Sequence, residues 1–431
     1  MEISILILLL VFFSLLLLNV PISFCIGLAT LATMLISIDF MPAVTTMAQR
    51  MAGGINSFAL LAIPFFILSG LIMGRGGIAK RLIECAMALI GMLPGGLALV
   101  NVVSCMFFGA ISGSAVAATS AIGSFMLPEM KKQGYDVNFS AAVTASAATT
   151  GMLIPPSNIL IVYAIASGGV SIAALFVAGY LPGILLGVSL MLVCAGYAKL
   201  KGYPVGARLP LKLVAQKVAA ALPSLFMIFL VIGGIIGGIF TATEAGAIAV
   251  IYSLILAVGL YREVKVSELS GILMKAAETT AIVMFLVAAA GVSAWLITTA
   301  SIPQQVADLV RPFMDNKMLL MFILMLMVFI IGTALDFTPT VLIMTPVLMP
   351  VVKEAGIDPV YFGVLFIINN AIGLVTPPVG TVLNVVCSIA KIPMSGAIKG
   401  VMPFMIAQTT VMLLLIIFPQ IVMWPLHMMT R

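Results

Sequence analysis

The sequence predicts an all-α polytopic membrane protein made of two related halves that run in opposite directions across the bilayer. Its 431 residues are 63% hydrophobic and only 8% charged, and apolar runs of the roughly 20 residues that cross a hydrocarbon core recur many times. Basic residues sit singly or in pairs between those runs. A set of glycines, prolines and turn charges repeats at a fixed spacing.

The first run, ISILILLLVFFSLLLL at 3–18, has neither a basic leader nor a small-residue cleavage site, so it reads as a retained helix. It pairs with 22–38. The segment 57–73 then crosses inward, 95–127 re-enters from the cytoplasm, and 138–165 and 173–197 cross out and back. In the second half 219–238 runs outward, 245–261 inward and 278–298 outward. The segment 318–350 re-enters from outside, 358–388 runs inward and 400–424 outward. With the N-terminus outside, 15 of the 20 basic residues fall on the inner side, leaving Arg50, Arg311, Lys317, Lys353 and Arg431 outside. That asymmetry follows the positive-inside rule, and counting the two re-entrant segments as full spans breaks it.

The halves align at an offset of 222 residues. Pro128, Lys131, Gly134, Asp136, Gly151, Pro155 and Pro156 recur as Pro350, Lys353, Gly356, Asp358, Gly373, Pro377 and Pro378. Pro182 meets Pro403 with a shift of one. The expected units are therefore 1–215 and 216–431. In the first, scaffold helices occupy 1–92, a hairpin and broken helix 93–170 and a connecting helix 171–215. In the second, scaffold helices occupy 216–300, a hairpin and broken helix 315–390 and a final helix 400–431. This is an inverted-repeat ion-transporter fold with two re-entrant hairpins and two broken helices, a design that places a binding site near the midplane where the breaks meet.

The breaks read GMLIPPSNIL (151–160) and GLVTPPVGTV (373–382). Proline removes a donor and clashes with the preceding turn, and a carbonyl left bare in lipid costs several kcal/mol. Carbonyls at Gly151–Ile154 and at Gly373, Val375 and Thr376, with oxygens from Ser157, Asn158 and Thr376, suit a small hard cation. The alternative is a kink packed on a neighbour. The hairpin GAISGSAVAATSAIG (109–123) centres on Ser112, Gly113 and Ser114, either a binding tip or a close-packing face. Its counterpart, GTALDFTPTVLIMTP (332–346), carries Asp336, Thr338 and Thr340. A carboxylate in an apolar stretch points to Na+ or substrate, the alternative being a bend held by backbone N–H groups. Asn369 and Asn370 precede the second break and face either substrate or the broken helix. Ser114, Asp336, Asn369 and Asn370 are the candidate substrate contacts. Glu244 is a secondary candidate, because an acid after Thr241 also reads as a helix start.

Several chemistries are excluded. No GxxxxGK[ST] phosphate loop occurs, the single histidine is His427, and there is no CxxC or HExxH pair. Five cysteines lie in or beside apolar segments and read as small core residues rather than a disulfide framework. The net charge of +6 is spread between spans, so it marks topology and not a nucleic-acid surface. An enzyme is not expected; a secondary transporter driven by oxygen-bound Na+ is.

The motifs SGSAVAATSAIGSFMLPEM (112–130), IPPSNILIVYAIASG (154–168), GIFTATEAGAIA (238–249) and LDFTPTVLIMTPVLMPVVKEAGIDPVYFGV with NNAIGLVTPPVGTVLNVV (335–386) resemble the large membrane subunit of tripartite ATP-independent periplasmic (TRAP) transporters. The resemblance implies a bacterial inner-membrane importer of organic acids, driven by Na+ and moving like an elevator. Its partners would be a periplasmic substrate-binding protein, a small four-helix membrane subunit and membrane lipids. It places one Na+ site at 112–114 with 151–158, and a second at 332–340, including Gly332, with 373–377. Many relatives carry an acid where this chain has Ala118, so no role is carried over there. The chain begins directly with large-subunit helices, which implies a separate small subunit. Sialic acid and other sugar acids stand slightly ahead of C4-dicarboxylates as substrate. A stand-alone Na+/dicarboxylate symporter and a channel or assembly subunit are the competing readings.

Overall fold

The computed structural model describes residues 2–206 and 208–429; Arg431, assigned above to the outer side, lies outside them. Among the described residues the regular structure is helical, joined by turns and breaks, with an isolated bridge between Pro94 and Val205. Seven helical segments are long and apolar enough to cross a membrane.

The first layer comprises α1 (Glu2–Leu17), α2 (Ile22–Met34), α3 (Phe40–Ile55), α4 (Ala62–Arg75, entered through a 3₁₀ turn at Phe58–Leu61) and α5 (Ile78–Ile90). Three expectations change here. The run 22–38 is not one span, since α2 stops at Met34. Its 13 residues reach about 20 Å at 1.5 Å per residue, short of a bilayer core. α3 and α5 are additional helices, amphipathic enough that a search for uniform apolarity passes over them.

Next come the hairpin α6 (Gly96–Ser112) and α7 (Ala115–Lys132), then α8 (Val137–Thr150), a break, α9 (Asn158–Ala166) and the long α10 (Ile172–Lys201). The second half supplies α11 (Leu211–Ile236), α12 (Ala242–Leu254, prolonged by a π turn to Leu260), α13 (Leu269–Thr299) and α14 (Ile302–Val310). α13 begins nine residues before the expected 278, and α14 was not anticipated. The hairpin α15 (Lys317–Ala334) and α16 (Phe337–Glu354) follows, with α17 (Pro359–Gly373), a break, α18 (Thr381–Ala390), α19 (Met394–Ile417) and α20 (Gln420–Met429).

The 222-residue spacing holds at element level. α7, α8 and α10 begin at 115, 137 and 172, and α16, α17 and α19 at 337, 359 and 394. The local chemistry explains why those particular residues repeat. Gly134 and Gly356 take positive φ in the turn leaving each hairpin. Asp136 then caps α8, accepting from Phe139 N at 2.8 Å, and Asp358 caps α17, accepting from Val360 N at 2.7 Å. Lys131 and Lys353 lie in the last turns of α7 and α16, where a cation offsets the helix dipole.

Packing defines a scaffold and an inner module, which also meet each other where α5 and α4 pack on α6 and α13 and α14 on α16. In the scaffold α4 packs on α12, α5 on α11, and α13 on α2, α3 and α4. In the inner module each hairpin packs on its own broken helix, while α19 crosses to α8, α18 to α7 and α10 to α17. The two breaks are thus held in one body. Four of the five cysteines are buried there or in the scaffold and all are free, as their apolar setting implied.

Candidate substrate and ion site

Close backbone approach builds each break. A Cβ on Gly151 would stand 2.5 Å from the Cα of Gly109 in α6, and one on Gly373 would stand 2.7 Å from the carbonyl of Gly332 in α15. Only glycine allows each hairpin to lie this close to the helix it supports. The repeated Gly151 and Gly373 are therefore packing residues.

The unwound stretches are shorter than the prolines alone suggest. Met152 N and Leu153 N still bond to Thr149 O and Thr150 O, and Val375 N and Thr376 N to Ile372 O and Gly373 O. The Gly373 carbonyl, which lacks a helical donor because Pro377 has no N–H, is thus met by the local turn. Both Pro–Pro bonds, 155–156 and 377–378, are cis. The breaks differ in cover. Residues 151–157 are all buried, with α10 pressed on them through Gly179 and Gly183, whereas Pro377, Pro378 and Val379 are exposed.

At the first break the hairpin tip meets α9. Gly113 has φ +62°, and a Cβ on it would lie 2.9 Å from Asn158 N. Ser114 caps α7, its Oγ accepting from Ala117 N at 3.3 Å, and Ser112 Oγ donates to Ser114 O at 3.4 Å. Beside them Ser157 Oγ and Asn158 Oδ1 are buried without a hydrogen-bond partner. Buried oxygens are ordinarily satisfied, so two neighbouring orphans form a donor set suited to a small hard cation. Ile154 lies buried against Gly183.

At the second tip Asp336 precedes α16, yet its carboxylate makes no cap bond to the helix. It accepts instead from Thr381 Oγ1 at 3.3 Å, at the start of α18. The alternative of a carboxylate held by the bend's own N–H groups is not realised. Thr340 Oγ1 donates to Asp336 O at 2.9 Å and Thr376 Oγ1 to Ile372 O at 2.7 Å, so both hydroxyls stabilise backbone. Val375 is fully buried.

The tips share a cavity of about 380 Å³. Ser112, Gly113, Ser114 and Asn158 line it from the first half, and Asp336 and Thr338 from the second. The scaffold closes it with Ile63, Ile67 and Gly70 of α4 and with Lys275, Thr279 and Val283 of α13. Gly70 lies so close to the first tip that a Cβ there would be 3.0 Å from the Cα of Ser112.

Other expected residues stand elsewhere. Asn369 and Asn370 do not line this cavity. Asn369 Nδ2 donates to Met325 O in α15, and Asn370 Nδ2 to Phe337 O in α16 at 3.1 Å, so the pair clamps the second hairpin. Their Oδ1 atoms are buried and unpartnered, leaving acceptors for an ion but no face for a substrate. Glu244 is a helix cap: its Oε2 accepts from Thr241 N at 2.8 Å and Thr241 Oγ1 at 2.9 Å, and its own N–H donates to Thr241 Oγ1. Thr381, Lys275 and Thr279 went unnoticed in the sequence.

A helical membrane body with paired hairpins, broken helices and a largely apolar cavity carrying a few polar groups between them is a permease of the secondary-transporter class, and its fold is that of known transporters. The solved Alcanivorax borkumensis YdaH transporter superposes with a TM-score of 0.62 over 88% of this chain and 89% of that one, at 15% identity. The family model described as "Tripartite ATP-independent periplasmic transporter, DctM component" matches residues 9–421. YgiK of Salmonella typhimurium is 48% identical over 403 residues, covering 94% of this chain and 92% of the relative. The 2,3-diketo-L-gulonate TRAP transporter large permease protein YiaN of Escherichia coli is 44% identical over 383 residues, covering 89% and 90%. The chain belongs to the DctM family of TRAP transporter large permease subunits, multi-pass proteins of the inner membrane.

Proposed function

We propose that this permease imports an organic acid with Na+, receiving it from a periplasmic substrate-binding protein and working beside a small four-helix membrane subunit. The observation that carries the reading is the shared cavity. Two hairpin tips, one carboxylate and the unpartnered, buried Asn158 Oδ1 converge on a space closed by the scaffold.

Ser157, Asn158 and the 112–114 tip would hold one Na+; Asp336, Thr338 and the second break, with the Asn369 and Asn370 carbonyl oxygens behind it, would hold the other. Bound cations offset the negative charge of the substrate and of Asp336, which makes entry of the acid and of the ions mutually favourable. Opposite orientation of the repeats gives the module equivalent arrangements toward each side of the membrane. Its interlocked packing suits rigid movement against α4 and α13. Exposed apolar side chains of α1 and α11, such as Leu10, Phe13, Phe226 and Phe229, offer surface to lipid and to the small subunit. A sugar acid is the favoured substrate, in keeping with the 2,3-diketo-L-gulonate for which YiaN is named.

The test is uptake of labelled 2,3-diketo-L-gulonate, sialic acid and succinate into proteoliposomes holding this chain and its small subunit. Uptake of one acid that needs both an inward Na+ gradient and the binding protein supports the reading. Uptake by this chain alone, indifferent to the binding protein, indicates a stand-alone symporter.

A further inference from the structure

Charge in the shared cavity is sparse. Among the described residues lining it, Asp336 is the acid and Lys275 the base. Lys275, Thr279 and Val283 stand at i, i+4 and i+8 of α13, so they form one stripe on one helix face, turned toward the hairpin tips. Thr279 Oγ1 donates to Lys275 O at 2.9 Å. Lys275 itself reaches Glu278, with Nζ 2.9 Å from Oε2 and both side chains 58% exposed.

An exposed pair three residues apart on a helix is weakly held and readily exchanged. Glu278 is not part of the lining, whereas Lys275 is. A carboxylate entering the cavity therefore meets one ammonium whose present partner is a water-exposed side chain outside it. Within the cavity, between the apolar Ile63, Ile67 and Val283, a charge-assisted contact is less screened than at the surface.

We propose that Lys275 is the scaffold's receptor for the substrate carboxylate, releasing Glu278 as the acid binds. This rests on the organic-acid reading above. It adds a stationary recognition group to a site otherwise built from the module. It also makes Glu278 a built-in competitor that lowers affinity and so eases release.

The experiment is equilibrium binding of labelled 2,3-diketo-L-gulonate, sialic acid and succinate to the purified membrane complex in Na+, for wild type, K275Q, K275R and E278Q. For the acid that wild type binds, K275Q should raise Kd at least about tenfold, the loss of one charge-assisted contact. K275R should stay within about threefold of wild type, because the charge is kept. E278Q should lower Kd, by about two- to fivefold, by removing the competitor. The Na+ concentration for half-maximal binding of K275Q should match wild type once its weaker substrate affinity is saturated. A merely structural ion pair would shift both single variants in the same direction, and that result overturns the proposal. So does an unchanged Kd in K275Q while wild type binds an acid. If wild type binds none of the three acids, the organic-acid reading falls, and this inference with it.

Discussion

Ser157 and Asp336 test the proposed ion sites at the scale of a single side chain. Ser157 is fully buried and its hydroxyl has no partner. An unmet buried polar group costs about 1–3 kcal/mol, so the hydroxyl as it stands adds nothing to folding. Ser157→Ala should therefore leave thermal stability unchanged or slightly higher in the absence of Na+, while raising the Na+ concentration for half-maximal uptake several-fold. A drop in melting temperature without a shift in Na+ dependence would show the hydroxyl to be structural. Asp336 is tied only to Thr381 Oγ1, a weak anchor for a carboxylate at a cavity wall. Asp336→Asn keeps the shape and removes the charge, and should reduce Na+-driven uptake at least about tenfold, the effect of losing a contact to a charged group worth about 1.5–3 kcal/mol. Uptake within twofold of wild type would remove Asp336 from the site.

At the scale of elements, the breaks depend on glycine contacts. Gly373→Ala would push a methyl against the Gly332 carbonyl, 2.7 Å from the ideal Cβ, with backbone on both sides and little room to yield. Overpacking of this kind costs about 1–3 kcal/mol, so the variant should melt several degrees lower and lose transport together. An unaltered melting curve would mean that the hairpin gives way freely. These contacts also show what a sequence can disclose. Gly134, Asp136 and Gly151, with their partners 222 residues on, are legible because turn, cap and close approach each demand a particular residue type. Tertiary placement is less legible. Lys275 reads as one more inside charge until α13 sets it in the cavity, and Thr381 as one hydroxyl among many. Asn369 and Asn370 read as substrate contacts or caps of the broken helix, and only the fold shows their amides bonded to the second hairpin. α3 and α5 escaped because Arg50, Lys80, Arg81 and Glu84 interrupt their apolar faces.

At the scale of the molecule, the two halves are joined across the breaks and not merely adjacent. Gln408 Nε2 of α19 donates to Ser146 O and Thr149 Oγ1 of α8 at 3.2 and 3.1 Å, and Tyr163 Oη of α9 donates to Pro359 O of α17 at 2.7 Å. These contacts tie the first broken helix to α17 and α19 of the second half. The inverted-repeat route to equivalent arrangements toward both faces of the membrane requires the two halves to run in opposite directions. Lys131 and Lys353 test that requirement directly. They occupy equivalent positions at the ends of α7 and α16, both exposed, and the distribution of basic residues puts the first inside and the second outside. With the half-buried Cys387 replaced by Ser and the other four cysteines buried, single cysteines at these positions can be treated with a membrane-impermeant maleimide. Lys353→Cys should react in spheroplasts and Lys131→Cys in inverted vesicles. Labelling of both from the same side would mean parallel repeats, and would overturn the inverted-repeat reading of the 222-residue duplication.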